Sequence, residues 1–289
     1  MGIRKKSHPL PTSLMPLLKS DYDVDSLLEF TQALAVDAGK VIMTHFKNLR
    51  IVKHKSDVDL VTQADTESEQ FIIDQISNSY PNHDIITEEQ DLQLSNSPYQ
   101  WIIDPLDGTT NFVHGLPIFA VSIALKIEGQ TILGVVYNPA NSDMYSASAS
   151  NKAVKNGKEI TVSKTESLKK SLLVTGFPYS HNEEYHLCFS LFHDLYNRTQ
   201  GIRRLGAAAL DFCYVAEGVF DGFYEINLNP WDIAAGEFIV RKAGGTTSDW
   251  TRNKMSQSGK RILATNGIIH DEVLSVFDKD KYELLLANN

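Results

Sequence analysis

Apolar residues first recur at helical spacing at Leu27, Phe30, Leu34 and Val41, in a run that closes on His45. Asp23, Asp25 and Ser26 stand in front as helix-capping groups, so the spacing predicts an amphipathic helix. A second helix is predicted over Thr66–Ser79. Asp65 is its N-cap, Glu67 and Glu69 lie in its first turn, and Phe71, Ile72 and Ile76 form its buried stripe. Beyond the breaker Tyr80-Pro81-Asn82 the pattern turns to short apolar or alternating runs. These predict strands at Asp84–Thr87, Gln100–Asp104, Phe119–Ile127 and Thr131–Tyr137, with a hairpin at Val154–Lys158. Such runs suit a mostly antiparallel sheet.

From Ser171 the pattern interleaves element types. Strands are expected at Leu172–Gly176, Gly201–Leu205, Phe220–Glu225 and Arg261–Thr265. Helices are expected near Glu183–Tyr196, Ala207–Glu217 and Trp231–Ala243, the last ended by Gly244-Gly245, and one more helix closes the chain. The polar run Ser163–Lys170 separates the two textures. The chain therefore divides into an arm over 1–22, an α+β half over 23–165 and an α/β half over 166–289.

Composition narrows the function. With 289 residues and 42% apolar content the chain can bury one large core or two adjoining ones. It holds no run near the ~20 apolar residues that span a bilayer, so no membrane role is expected. A formal charge of −9 without a basic stripe argues against nucleic acid. The two cysteines, Cys188 and Cys213, sit in apolar stretches and offer no disulfide framework, which fits a reducing cytoplasm. An acidic protein that handled phosphates would need cations, and hence oxygen ligands for them.

The segment Trp101–Phe112 supplies such ligands. An apolar strand stops at Asp104, turns at Pro105, presents Asp107 and passes Gly108 into Thr109-Thr110-Asn111, a run suited to a helix start. A lone Asp-Pro-x-Asp-Gly is more often a polar turn. Here it stands with Glu88-Glu89 after a strand, Asp65 closing Asp59–Asp65, and Asp232 in Asn229-Pro230-Trp231-Asp232. His54, His114 and His181 show no metal-ligand spacing, one of Arg203 and Arg204 is expected to face solvent, and Gly244-Gly245 lacks a phosphate-loop context.

Taken in order, these motifs resemble the inositol monophosphatase family of lithium-sensitive, metal-dependent sugar phosphatases, from about residue 25 to 285. Further matching segments are Leu172–Thr175, Gly201–Val215, Phe223-Tyr224-Glu225 and Ala243–Gly245. The resemblance implies a layered α/β/α/β/α sandwich, with the site between the halves, and a homodimer. It implies that Glu88, Asp104, Asp107, Asp232 and the Leu106 carbonyl bind about two or three Mg²⁺ ions. Asp65 and Thr109, with Glu88 close by, would act on the attacking water. Gly108 and Thr109 would hold the phosphate, and Gly206, Ala207, Ala208, Glu225 and Asp107 would meet a polyol or sugar. Two departures bear on substrate: Ala207 replaces the usual Ser or Thr, and Asn229-Pro230 replaces the His-Cys of the animal enzymes. The alternatives are a histidinol-phosphate, fructose-1,6-bisphosphate or adenosine 3′,5′-bisphosphate phosphatase, or, in another class, a protein-binding regulator of transcription complexes.

Overall fold

The computed structural model describes residues 23–48, 52–54, 60–178, 182–255, 259–277 and 280–283, with 52–54 and 60 described in backbone only. The arm over 1–22, Asp59 and His181 lie outside the described residues. The first half comprises α1 (Val24–His45), β1 (Val52–His54), β2 (Leu60–Thr62), α2 (Gln63–Ser79), β3 (Asp84–Thr87), β4 (Tyr99–Asp107), α3 (Thr109–Val113), β5 (Ala120–Ile127), β6 (Gln130–Asn138), β7 (Asp143–Ser148), β8 (Val154–Lys155) and β9 (Lys158–Glu159). The second comprises β10 (Leu172–Thr175), α4 (Glu183–Tyr196), β11 (Gly201–Arg203), α5 (Ala208–Ala216), β12 (Gly222–Ile226), α6 (Pro230–Lys242), β13 (Thr246–Ser248), β14 (Arg261–Thr265) and α7 (His270–Phe277).

Seven strands form one sheet in the order β3-β4-β5-β6-β7-β8-β9, antiparallel except for the parallel β3–β4 pair. Five form the other, in the order β11-β10-β12-β14-β13, with β10 parallel to both neighbours and β14 antiparallel to both of its own. A small hairpin pairs β1 with β2.

The stacking follows from which strand faces are apolar. Trp101, Ile103, Ile123 and Val135 join Leu27, Leu34, Ile42 and Ile72 in a core between the large sheet and α1–α2. The alternate residues Ile102, Ala124 and Val136 face Phe212, Phe238 and Ile239 of α5 and α6, and the same core takes in Val174, Phe223 and Ala264 of the smaller sheet. On that sheet's far side Leu173, Tyr224 and Leu263 meet Leu191, Leu195, Val273 and Phe277 of α4 and α7. The period-two alternation of the strands therefore feeds two cores per sheet, and the five layers are α/β/α/β/α. The middle helices come from the second half of the chain but share a core with the first half's sheet. The 165/166 division falls in the connection between β9 and β10.

Two local expectations are corrected. The second helix starts at Gln63, not Thr66, and its N-cap is Thr62, not Asp65. The Thr62 hydroxyl accepts from the Ala64 amide, and Asp65, at the third helical position, reaches back to the Thr62 amide in a capping box. Strand β7 was not anticipated. Its sequence Asp-Met-Tyr-Ser-Ala-Ser mixes the large buried Tyr145 with small polar residues, so no apolar run marks it, yet its last four residues are buried and it pairs with β6 inside the sheet.

Close approach of helix to sheet is fixed at Gly134 in β6. A Cβ placed there would lie 2.8 Å from the Ala235 carbonyl oxygen and 2.9 Å from its Cα, both backbone atoms of α6 that cannot swing aside. Gly134→Val should therefore destabilise the protein by about 2 kcal/mol or more through overpacking. In thermal denaturation this appears as a fall in Tm of about 4 °C or more; an unchanged Tm would contradict the packing described.

Candidate active site

Asp104 and Asp107 are three residues apart on β4, a spacing that in a regular strand sends side chains to opposite faces. The ladder with β5 shows how they come together. Asp104 pairs with Ser122 and Asp107 with Ala120, so three steps on β4 match two on β5 and the strand carries a one-residue bulge. Pro105, lacking an N–H, sits in the bulge without forfeiting a ladder bond. The Asp104 carboxylate accepts from the Leu106 amide at 2.9 Å, and the Ser68 hydroxyl of α2 donates to the Pro105 carbonyl at 3.2 Å. Asp104 thus lies on the same side of β4 as Ile102, toward the middle helices, and Asp107 crosses to the second half of the chain. There it accepts from the Ala208 amide at 3.2 Å and the Ala209 amide at 2.8 Å, at the start of α5. These are orphan N–H groups of a helix N-terminus, whose partial positive charge suits a carboxylate.

The other acids are placed by helix starts and strand ends. Asp232 stands at the third position of α6 and accepts from the Asn229 amide at 2.7 Å through one oxygen. Asp65 does the same in α2, accepting from the Thr62 amide at 2.7 Å through Oδ2, while its Oδ1 accepts from the Thr109 hydroxyl at 2.9 Å. Glu88 follows β3. Its neighbour Glu89 is tied down by the buried Glu69 of α2, which accepts from the Glu89 amide at 2.8 Å and from the Thr87 hydroxyl at 2.6 Å.

A cavity of 390 Å³ opens where these elements meet. Its walls include Glu88, Asp104, Leu106, Asp107, Gly108 and Thr109 from the first half, and Gly206, Ala207, Ala208, Glu225 and Asp232 from the second. Asp65 is not in the wall; it stands behind Thr109. Gly108, at φ +88°, is where the halves touch: a Cβ there would lie 2.9 Å from the Ile118 carbonyl and 3.1 Å from the Ala207 Cβ. Ala208 stands in the wall, with its amide donating to Asp107. Of the histidines weighed above, His114 ends the short helix α3 and is absent from the wall.

The electrostatics are those of buried like charges. Burial pushes Asp104 well above the usual carboxylate range, and the neighbouring Glu88, Asp107 and Asp232 push it further. Burial raises Asp107 to about 7 against the pull of the Ala209 and Ala208 amides, with Glu88 adding to the rise. Asp232 is held well up by burial and by Asp107 and Glu88. Such a group is costly to ionise without cations beside it, and a set of hard oxygen donors suits Mg²⁺. Among the described residues no three His, Cys, Asp or Glu side chains are drawn in tightly enough to hold an ion as they stand; the acids share the walls of one cavity.

Four contributors escaped the sequence reading. Ser68 and Glu69 support the bulge and the Glu88 segment. With Asp65 they continue, toward the helix start, the stripe of Ile72 and Ile76, so the signal was a buried stripe that turns polar where it meets the site. Asn111, also buried, donates to the Ile118 carbonyl and the Leu205 carbonyl, both at 2.8 Å, and so stitches the halves together beside Gly108. Asp211, 1% exposed, also lines the cavity from α5, four residues after Ala207.

Comparison with known proteins shows the family and the fold. The inositol monophosphatase family model matches residues 23–282. The chain is 42% identical over 264 residues to an inositol-1-monophosphatase of Synechocystis, covering 91% of this chain and 92% of that protein. It is 43% identical over 246 residues to the Nus factor SuhB of Escherichia coli, covering 84% and 90%. Its fold matches the Thermotoga maritima IMPase with a TM-score of 0.82 at 35% identity, covering 91% of this chain and 99% of that one.

Removing the stitch between the halves should cost stability. Asn111→Ala leaves two inward-facing carbonyls without their donor, a loss of roughly 2 kcal/mol. Thermal unfolding should show a Tm lower by about 4–8 °C. A variant as stable as the parent would mean that Asn111 does not join the halves.

Proposed function

The chain belongs to the inositol monophosphatase family and is a phosphomonoesterase, and from that premise we propose that it hydrolyses a small polyol or sugar phosphate, an inositol monophosphate first among them, with Mg²⁺ bound in the cavity between its halves. The observation that carries this reading is the convergence of Asp104, Asp107 and Asp232, from both halves of the chain, on one cavity where each raises the others' affinity for positive charge. Glu88, Asp104, Asp107, Asp232 and the Leu106 carbonyl are the groups that would hold the ions. Bound there, Mg²⁺ would lower the pKa of water, shield the phosphoryl oxygens from an incoming nucleophile and stabilise the leaving alkoxide.

The protein's own groups do the rest. The Thr109 hydroxyl, whose one proton has Asp65 Oδ1 at 2.9 Å and the Leu106 carbonyl at 3.1 Å as acceptors, keeps its lone pairs for a water and can accept that water's proton in a hydrogen bond. Asp65 and the Leu106 carbonyl together orient the Thr109 hydroxyl, and Thr109 orients the water. No side-chain nucleophile is needed. The amides at the start of α3, beginning with Gly108 and Thr109, suit the phosphate, since the first amides of a helix have no partner within it. Also in the wall, Glu225 would accept from alcohol groups of the leaving polyol. A position against strand β10 is open to it because Gly176 has no side chain, and a Cβ there would collide with the Glu225 carboxylate. The buried, unbridged Cys188 and Cys213 fit a reducing compartment, and among the described residues no helix is long and apolar enough to cross a membrane.

A second role as a protein-binding factor is favoured by the likeness to SuhB. It would appear as partner capture that survives loss of phosphate release in Asp104→Asn.

Two readouts test the primary reading together. Asp104→Asn and Asp232→Asn should each lower phosphate release from inositol 1-phosphate by about a hundredfold or more, on the scale seen when a group that stabilises transition-state charge is lost. In EDTA at pH 8 Asp104→Asn should melt at a higher temperature than the parent, because it removes a buried like charge. In excess Mg²⁺ the parent should gain and the order should reverse. Parent activity indifferent to EDTA, or unchanged melting order, would overturn the assignment. Parallel assays with histidinol phosphate, fructose 1,6-bisphosphate and adenosine 3′,5′-bisphosphate rank the substrates.

A further inference from the structure

Besides the acids that follow β3 or stand on β4 and α6, the cavity is lined by Glu225 from β12, Asp211 from α5 and Arg204, and Arg204 is the one cationic side chain among the described residues of the wall. Arg204 follows strand β11 directly, and its guanidinium folds back over Gly206: a Cβ on Gly206, whose φ is +87°, would collide with Arg204 Nη1. The position is therefore built in two parts. A glycine clears the space for the guanidinium, and a buried carboxyl, Asp211, lies within electrostatic reach of it, as Glu225 does.

A guanidinium can only donate hydrogen bonds, whereas the Glu225 carboxyl, which burial pushes up to about 8 and the Arg204 guanidinium draws back, keeps an accepting oxygen whether or not it is protonated. A group that satisfies both at once must do both, and an alcohol hydroxyl does: it donates to Glu225 and accepts from Arg204. An ammonium group in the same place can only donate. It would leave the guanidinium without an acceptor and set one positive charge against another. Arg204 stands on the rim, exposed enough to meet a ligand as it enters.

Building on the phosphatase reading, we infer that Arg204 is a specificity-determining residue: together with Glu225 it reads a hydroxyl on the leaving group, so that the enzyme selects neutral polyol phosphates over phosphates of amino alcohols. The selection lies in the contact between Arg204 and the leaving group and not in the chemistry at phosphorus. Gly206 and Asp211 act through Arg204, as positioning residues.

The test compares three substrates with the full-length protein in Mg²⁺: inositol 1-phosphate, which offers hydroxyls; histidinol phosphate, which offers an ammonium; and p-nitrophenyl phosphate, which offers neither. Arg204→Met should lower kcat/KM for inositol 1-phosphate by about tenfold more than for p-nitrophenyl phosphate, the size of one lost charge-assisted hydrogen bond, and the loss should fall mainly on KM. The same substitution should raise the use of histidinol phosphate relative to inositol 1-phosphate. Arg204→Lys, which keeps a donor and the charge, should recover part of the preference. Equal losses on all three substrates, or a preference unmoved in Arg204→Met while the parent still releases phosphate, would overturn the inference and leave the phosphatase reading standing. A parent protein that releases phosphate from none of the three would bring both down.

Discussion

Buried negative charge is the constraint around which the rest of the molecule is arranged. Two aspartates of β4 and a third from the start of α6 are sunk in one cavity, and burial together with mutual repulsion favours their protonated forms. A fold keeps such a set when something it binds needs it, because apolar packing of the same volume would be the more stable alternative. On the proposed function, the free energy withheld from the fold would return on binding divalent cations, which would tie metal affinity to folding stability. A substrate phosphate, itself an anion, would then dock where bare carboxylates would repel it.

The scaffold meets this constraint with simple devices. A one-residue bulge in β4 brings two aspartates to one side of the sheet. The starts of α2 and α6 each hold an aspartate at the third position by tying one carboxylate oxygen to the cap amide. The start of α5 turns two amides toward Asp107, so the first half's acid caps the second half's helix. Because α5 and α6 also fill the space between the two sheets, any shift of the middle layer would move Asp232 and Ala208 relative to Asp104. Apolar packing of the shared core thereby sets the spacing of the polar site.

Much of this was legible in the sequence, and the remainder was hidden for identifiable reasons. Strand alternation and helical spacing gave the layers because each element has one strongly apolar face. Asp104 stood out because it closes an apolar run, and Asp65, Glu88, Asp107 and Asp232 because they occur together with it in ordered motifs. Strand β7 lacks a sequence signal because its buried residues, Tyr145, Ser146, Ala147 and Ser148, are mostly small or polar and make no apolar run. Asp65 was placed at the wrong cap position because Thr62, three residues earlier, offers a hydroxyl of nearly equal capping strength, and only the fold decides between them. That Asp104 and Asp107 face the same way depends on a register shift, which strand periodicity cannot report. Glu69 read only as a first-turn acid, and it is buried beneath the Glu88 segment. Arg204 and Asp211 became meaningful only once Gly206 and Glu225 were seen beside them.

The most direct test of the central claim is crystallographic. Crystals of the full-length protein grown with Mn²⁺ in place of Mg²⁺, with data collected at a wavelength where manganese scatters anomalously, would locate the ions independently of any assay. The account predicts anomalous peaks between the carboxylates of Asp104, Asp107 and Asp232, with Glu88 at their edge. Manganese bound elsewhere, with those four side chains left uncoordinated, would contradict it.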